Sequence, residues 1–306
     1  MRKPPPRPAE RPAGTAPRRS AAPAQRAQFA VALALFVLAL VAVSPAALLD
    51  RAARRRRRAR GRTGTSVATA QRILLRPLPG RIGDLRLRGT YLPARTSARS
   101  GGDLYDAVRT PYGTRLLIGD VRAKGMLAVE ASALLLRSFR EAACEEEELT
   151  AVARRLEGDA RGHIARLPGA ETPERFATAL LVEIPAGPVA RVVHCGHPEP
   201  LLVSGGQVRA CPPERPGAPI GMADLVGAGH EAQTLPFRAG ERLVLLTDGF
   251  TEARDAAGRP FAERVGERAA APLDGLVDGL RADLVRHTGG VLRDDAALLV
   301  VDRAAG

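Results

Sequence analysis

Leu243, Val244, Leu245 and Leu246 form an uninterrupted apolar run that stops at Thr247, Asp248 and Gly249. A run of that length, closed by a glycine, reads as a short strand covered on both faces, and it sets a carboxylate at the rim of a hydrophobic sheet. Burying an unpaired carboxylate is expensive, so an acid placed there needs a cation, a set of donors or bulk water. The arrangement recurs: Leu116, Leu117 and Ile118 run into Gly119 and Asp120, and Asp294 and Asp295 stand immediately before the apolar residues 296–301. Strand-end acids that converge suit a hard divalent cation, which takes oxygen ligands. A further acid, Asp103, follows the pair Gly101 and Gly102. Paired glycines let a backbone approach something closely. A hairpin between a strand starting at Asp103 and the strand reaching Asp120 would bring those two carboxylates together.

Charge excludes one function class. The chain of 306 residues has a formal net charge of +13. Residues 1–62 hold 15 Lys/Arg against Glu10 and Asp50, which is 15 − 2 = +13, so residues 63–306 are neutral. The basic excess belongs to a leader and not to a binding face. With only 3% aromatic residues for base stacking, a nucleic-acid binder is disfavoured. Cys144, Cys195 and Cys211 are odd in number and lack CxxC spacing, which fits structural thiols in a reducing compartment.

The leader divides in three. Residues 1–27, rich in Pro, Ala and Arg, cannot bury enough surface to fold and are expected to be a disordered basic tail. Between Arg26 and Asp50 lie 23 residues without a charge. A helix of that length reaches about 35 Å, enough for a hydrocarbon layer of about 30 Å, so 28–49 is expected to be a single transmembrane helix. A signal peptide cleaved after Ser44 is the rival reading, weakened by Pro45 and by the arginines that follow. Residues 50–70 are expected to be an Arg-rich juxtamembrane linker, its eight arginines placing the C-terminal side in the cytoplasm.

From residue 71 to 306 the pattern is that of one domain. Strands are predicted at 85–91, 104–108, 115–118, 177–184, 189–194, 201–203, 242–246 and 296–301, and helices at 126–143, 149–164 and 273–287. In the first helix Leu127, Ala131, Leu134, Leu135 and Ser138 share a face, with Phe139 beside them. Hairpin-like strand pairs with two helices together between them indicate an α+β layered sandwich. His194 and His197 have H-x-x-H spacing, but they flank Gly196 at a strand end and have no third nitrogen or sulfur ligand, so a turn closed by Pro198 is expected. The run Glu145, Glu146, Glu147 and Glu148 is expected to be a solvated helix cap.

In order and spacing, GGDLYD (101–106), IGDVRAKG (118–125), HCGHPEPLL (194–202), GAPIG (217–221), LVLLTDGFTEARD (243–255) and RDDAALLVV (293–301) resemble the bacterial stage II sporulation E type serine phosphatases, of the metal-dependent protein phosphatase (2C-like) family. The resemblance covers about 72–302. It implies a four-layer α-β-β-α sandwich with two Mn²⁺ or Mg²⁺ ions. It also implies that Asp120 bridges them beside the Val121 backbone carbonyl, with Asp103, Asp248 and either Asp294 or Asp295 completing the shell. Asp120 and Asp248 would then be the catalytic acids, the paired ions lowering the pKa of a bridging water that attacks phosphorus. The implied substrate is phosphoserine or phosphothreonine on a regulatory protein of the anti-sigma factor antagonist type. One motif departs from the family: where many relatives carry Ser-Gly-His-Gly, this chain has Arg122, Ala123, Lys124 and Gly125. Arg122 and Lys124 have the charge to hold a phosphate dianion. The same departure motivates the alternative of a catalytically weak or inactive, membrane-tethered binding protein.

Overall fold

Strand β10 (Arg242–Leu246) shows why the chain folds in layers. Its side chains alternate between two cores: Leu243 and Leu245 join one apolar cluster, Val244 and Leu246 the other. Its antiparallel neighbour β11 (Ala296–Arg303) does the same, with Ala297, Leu299 and Val301 on one side and Ala296, Leu298 and Val300 on the other. A continuous apolar run is therefore a strand whose two faces are both covered.

The computed structural model describes residues 66–94, 101–123, 125–165, 176–227, 229–261, 263–268 and 271–304. The expected tail, transmembrane helix and most of the arginine linker lie outside these residues, as does Lys124. Among the described residues no helix is long and apolar enough to cross a membrane.

Two antiparallel sheets form the middle layers. One has the order β1 (Arg81–Ile82), β2 (Leu85–Leu92), β11, β10, β7 (Leu201–Ser204), β8 (Gln207–Ala210). The other runs β3 (Asp103–Thr110), β4 (Gly113–Val121), β5 (Ala177–Ile184), β6 (Val189–Cys195), β9 (Ala232–Pro236). Helices α2 (Met126–Glu145) and α3 (Leu149–Ile164) cover the second sheet, and α7 (Leu273–His287) covers the first. This is the α-β-β-α sandwich expected, with α3, α7, β5 and β10 at the predicted boundaries. Short α4 (Ala223–Val226), α5 (Asp248–Thr251) and α6 (Glu263–Arg268), together with β1, β8 and β9, are too short or too polar to give a periodic signal.

Two expectations are corrected. Residues 66–70 are not linker but the start of helix α1 (66–74), which buries Val67 and Gln71 against the domain. The buried residues of α2 are Ala128, Val129, Ser132, Leu135, Leu136, Ser138, Phe139, Ala142 and Ala143, so Leu135, Ser138 and Phe139 face inward as predicted while Leu127, Ala131 and Leu134 do not. Leu127 is exposed, and with Ala131 and Leu134 it lines a small apolar depression beside Val121 and Arg122.

The α2–α3 turn is held by a charge that no pattern announced. Arg115, fully buried on β4, donates through Nε to Glu183 Oε2 at 2.8 Å and through its terminal nitrogens to the carbonyls of Ala143, Glu146 and Glu147. In the glutamate run it is thus the main-chain carbonyls that have a structural role. The N-cap Glu148 makes no side-chain capping bond.

Candidate metal centre

Register decides which acids meet. In the β3–β4 hairpin Asp103 pairs directly with Asp120, as the sequence suggested. Both strands run further than predicted, so these acids stand within the ladder at its open end. Asp248 arrives from the other sheet, as the first residue of the one-turn helix that follows β10. Carboxylate oxygens of Asp103, Asp120 and Asp248 all lie within 4.8 Å of one another.

Glycines permit the close approach. A Cβ on Gly102, at φ +148°, would sit 2.6 Å from Asp120 Oδ1 and 2.9 Å from the Val121 carbonyl oxygen, so any side chain there would fill the space beside both. A Cβ on Gly249 would meet the Asp295 carbonyl oxygen at 1.8 Å, which is why α5 packs flush against the start of β11.

Electrostatic strain is the signature of the cluster. Burial and then the neighbouring Asp120 raise the Asp103 carboxyl well above the usual range. Burial, followed by Asp248, pushes Asp120 up to about 7, against the opposing charge of Arg122. Asp248 is raised too, mainly by burial, with Arg122 again opposing. Like charges this close cannot all ionise cheaply without a cation. The donors are all oxygen, three carboxylates with a main-chain carbonyl beside them, and so they fit a hard divalent ion.

The two candidates at 294 and 295 are separated by their contacts. Asp295 is buried and its carboxylate accepts hydrogen bonds from Tyr91 Oη (2.8 Å), Ala94 N (2.7 Å) and Gly101 N (2.5 Å). It fastens β2 and the Gly101 turn to β11. Asp294 is partly exposed, outside the three-acid cluster, yet close enough for its charge to raise both Asp120 and Asp248.

Arg122 faces the acids: its Nη2 is 2.8 Å from Asp248 Oδ2 and its Nε 3.6 Å from Asp120 Oδ2, with the side chain about half exposed. His194 and His197 are buried and stay neutral, their pKa values lowered by burial to about 4 and about 3. His197 Nδ1 is 3.1 Å from Thr178 Oγ1, as suits a structural turn.

Sequence reading missed two supporting residues. Thr247 Oγ1 donates to Asp103 Oδ2 at 2.7 Å and accepts from Ala297 N at 2.8 Å, orienting one acid across the gap between the sheets. Its signal was a hydroxyl directly before Asp248. Gln71 on α1 donates to the Asp103 carbonyl, and nothing in the sequence announced it.

Comparison with known families matches residues 110–304 to stage II sporulation protein E (SpoIIE). The RsbU and RsbW domains of a Mycobacterium tuberculosis protein superpose with a TM-score of 0.59 at 26% identity, over 72% of this chain and 62% of that one. The chain therefore spans less than two thirds of that protein. The SiaA-PP2C domain of Pseudomonas aeruginosa gives a TM-score of 0.63 at 19% identity, over 78% and 95% of the two chains. The catalytic domain of the serine/threonine phosphatase PstP, solved with two manganese ions, gives 0.53 at 15%, over 72% and 98%.

Proposed function

The chain belongs to the stage II sporulation protein E (SpoIIE) family, and we propose that it is a metal-dependent phosphoprotein phosphatase acting on phosphoserine or phosphothreonine. The observation that carries this reading is the convergence of Asp103, Asp120 and Asp248, from two sheets, within 4.8 Å. Asp120 and Asp248, with Asp103, the Val121 carbonyl and Asp294, would hold two Mn²⁺ or Mg²⁺ ions. Asp294 is preferred to Asp295 because three protein donors already engage the Asp295 carboxylate. When bound, such a pair supplies an activated water and neutralises charge on the phosphoryl oxygens.

The chain's own residues do the positioning. Thr247 holds the Asp103 rotamer, the Asp295 network holds the Gly101 turn, and Gly102 leaves room beside Asp120. Arg122, already at the acids and half exposed, is placed to clamp a phosphate through its planar fork. Lys124 is proposed for the same task on charge alone. The substrate is proposed to be a phosphorylated regulatory protein of the anti-sigma factor antagonist type, in keeping with the RsbU and RsbW domains among the similar structures. Residues 28–49 are proposed to anchor the catalytic domain to the cytoplasmic face of the membrane. A reporter fused after Gly306 and active only outside the cytoplasm would overturn that topology.

The test is hydrolysis of p-nitrophenyl phosphate and of phosphoprotein by the chain with Mn²⁺, and its loss in Asp248→Asn. Full activity in EDTA, or in that variant, refutes the two-metal reading. The second reading, a weak or inactive phosphatase-fold binding protein, is favoured by the direct pairing of Arg122 with Asp248 and Asp120. Partner binding by calorimetry without metal-dependent turnover would select it.

A further inference from the structure

A groove of about 720 Å³ opens from the acid cluster and runs between the loop after α5 and the C-terminal end of α7. Its volume lies within the range of about 300–1,000 Å³ typical of ligand sites. Asp248 and Asp294 stand at one end, and Arg254, Arg259, Arg286 and Arg293 line the remainder.

Two acids also line that remainder, Glu252 and Asp255, so the count beyond Asp248 and Asp294 is four cations to two anions. Two of the four arginines already have a carboxylate partner, Arg259 in Asp255 and Arg286 in Asp283, and both side chains stay largely exposed. The Asp255 carboxylate is turned inward, accepting from Ala257 N, Arg259 N and Arg259 Nε. The Arg259 side chain, paired through Nε, is about three quarters exposed. Asp283 is buried beneath the α7 end and is shared by two arginines, Arg268 and Arg286, so one carboxylate serves two cations. Arg254 is exposed, and the hydrogen bond it donates goes to a neighbouring carbonyl, Ala253 O, at 3.4 Å. The domain carrying this surface has no net charge. A row of arginine side chains beside the acid cluster, Arg254, Arg259 and Arg286 among them exposed, is therefore a feature of the groove and not of the domain at large.

We propose that this groove binds an acidic segment flanking the phosphorylated residue of the protein substrate, with Arg254 and Arg286 as its specificity-determining contacts. The inference rests on the phosphatase reading for what occupies the acid end, and on the groove alone for the flank. Carboxylates of an extended segment would meet forked guanidinium donors along the groove, which suits bidentate pairing. A basic flank would be repelled. Because the pairs are solvent-exposed, the preference is set by modest, salt-screened terms.

The probes are fluorescent phosphoserine peptides with Asp/Glu, Gln or Lys flanks, titrated against the full chain in EDTA, where no turnover occurs. The acidic-flank peptide is expected to bind about tenfold more tightly than the Gln-flank peptide, the scale of two exposed ion pairs. The preference should shrink as salt rises. Arg254→Gln combined with Arg286→Gln should erase it, and should lower kcat/KM for the acidic phosphopeptide in Mn²⁺ while p-nitrophenyl phosphate turnover stays near the parent value. Arg254→Gln alone, at an exposed loop position, should remove part of the preference, and it guards against loosening of α7 in the double variant. Equal affinity for the three flanks, a preference that survives in both variants, or binding to anionic vesicles in place of the acidic peptide would each overturn the proposal. A chain that shows the flank preference but no Mn²⁺-dependent hydrolysis would instead refute the phosphatase reading and leave the groove assignment standing.

Discussion

Replacing Arg115 by Met keeps the length of the side chain and removes its charge at the most buried ion pair among the described residues. Arg115 and Glu183 are each essentially solvent-free. The substitution leaves the Glu183 carboxylate buried with Arg191 as its remaining cation, itself half exposed, and orphans the carbonyls of Ala143, Glu146 and Glu147. Removing one member of a buried pair typically costs about 3–5 kcal/mol. Water reaching the turn and the surviving Arg191 contact place the expectation near the lower end, about 3 kcal/mol. Against a total stability of about 5–15 kcal/mol that is a large fraction. Urea unfolding followed by circular dichroism should show a lower midpoint at unchanged slope. Adding Glu183→Met should restore the part of the loss due to the uncompensated carboxylate, while the three carbonyls stay without the Arg115 donors. A single variant costing under about 1 kcal/mol, or a double variant no better than the single, would refute this account of the α2–α3 turn.

Other outcomes follow from the acid cluster. Thr247→Val removes the donor to Asp103 and the acceptor for Ala297 N; it should weaken Mn²⁺ binding by about 10–100-fold in calorimetry, as loss of a ligand-orienting group does. Gly102→Ala places a methyl against Asp120 and the Val121 carbonyl at a backbone angle that side chains avoid, and should cost at least about 1 kcal/mol together with metal affinity. Asp120, raised to about 7 from 3.8, keeps a proton in the folded chain that the unfolded chain has released. That contribution is complete below about pH 3.8 and is lost as pH rises through about 7. Metal-free Asp120→Asn should therefore gain stability relative to the parent between pH 4 and 7, and parallel profiles would contradict the cluster's electrostatics. Asp248→Asn should raise the metal-free melting temperature by relieving repulsion, while abolishing the stabilisation that Mn²⁺ confers on the parent.

The layers and most of the acids were legible in the chain itself, because their signals are local. A double-faced apolar run such as 243–246 specifies a covered strand, and a glycine followed by an acid at its end specifies a carboxylate at a rim. The hairpin that brings Asp103 to Asp120 was suggested by the sequence, but its register is set by the two-residue turn between Thr110 and Gly113, which falls inside the six residues left between the predicted strands. Long-range complementarity decided the rest. Whether Asp248 from one sheet meets a hairpin of the other depends on how the sheets stack, which no spacing encodes. That Asp295 is a fastener and not a free acid depends on Tyr91, Ala94 and Gly101, about 200 positions away. Arg115 reads as an ordinary strand-end charge until Glu183 and three carbonyls are seen to surround it. Sequence periodicity reports which face of an element is apolar; only the folded arrangement reports which polar groups share the space behind that face, and there the cost of an unpaired charge selects the partner.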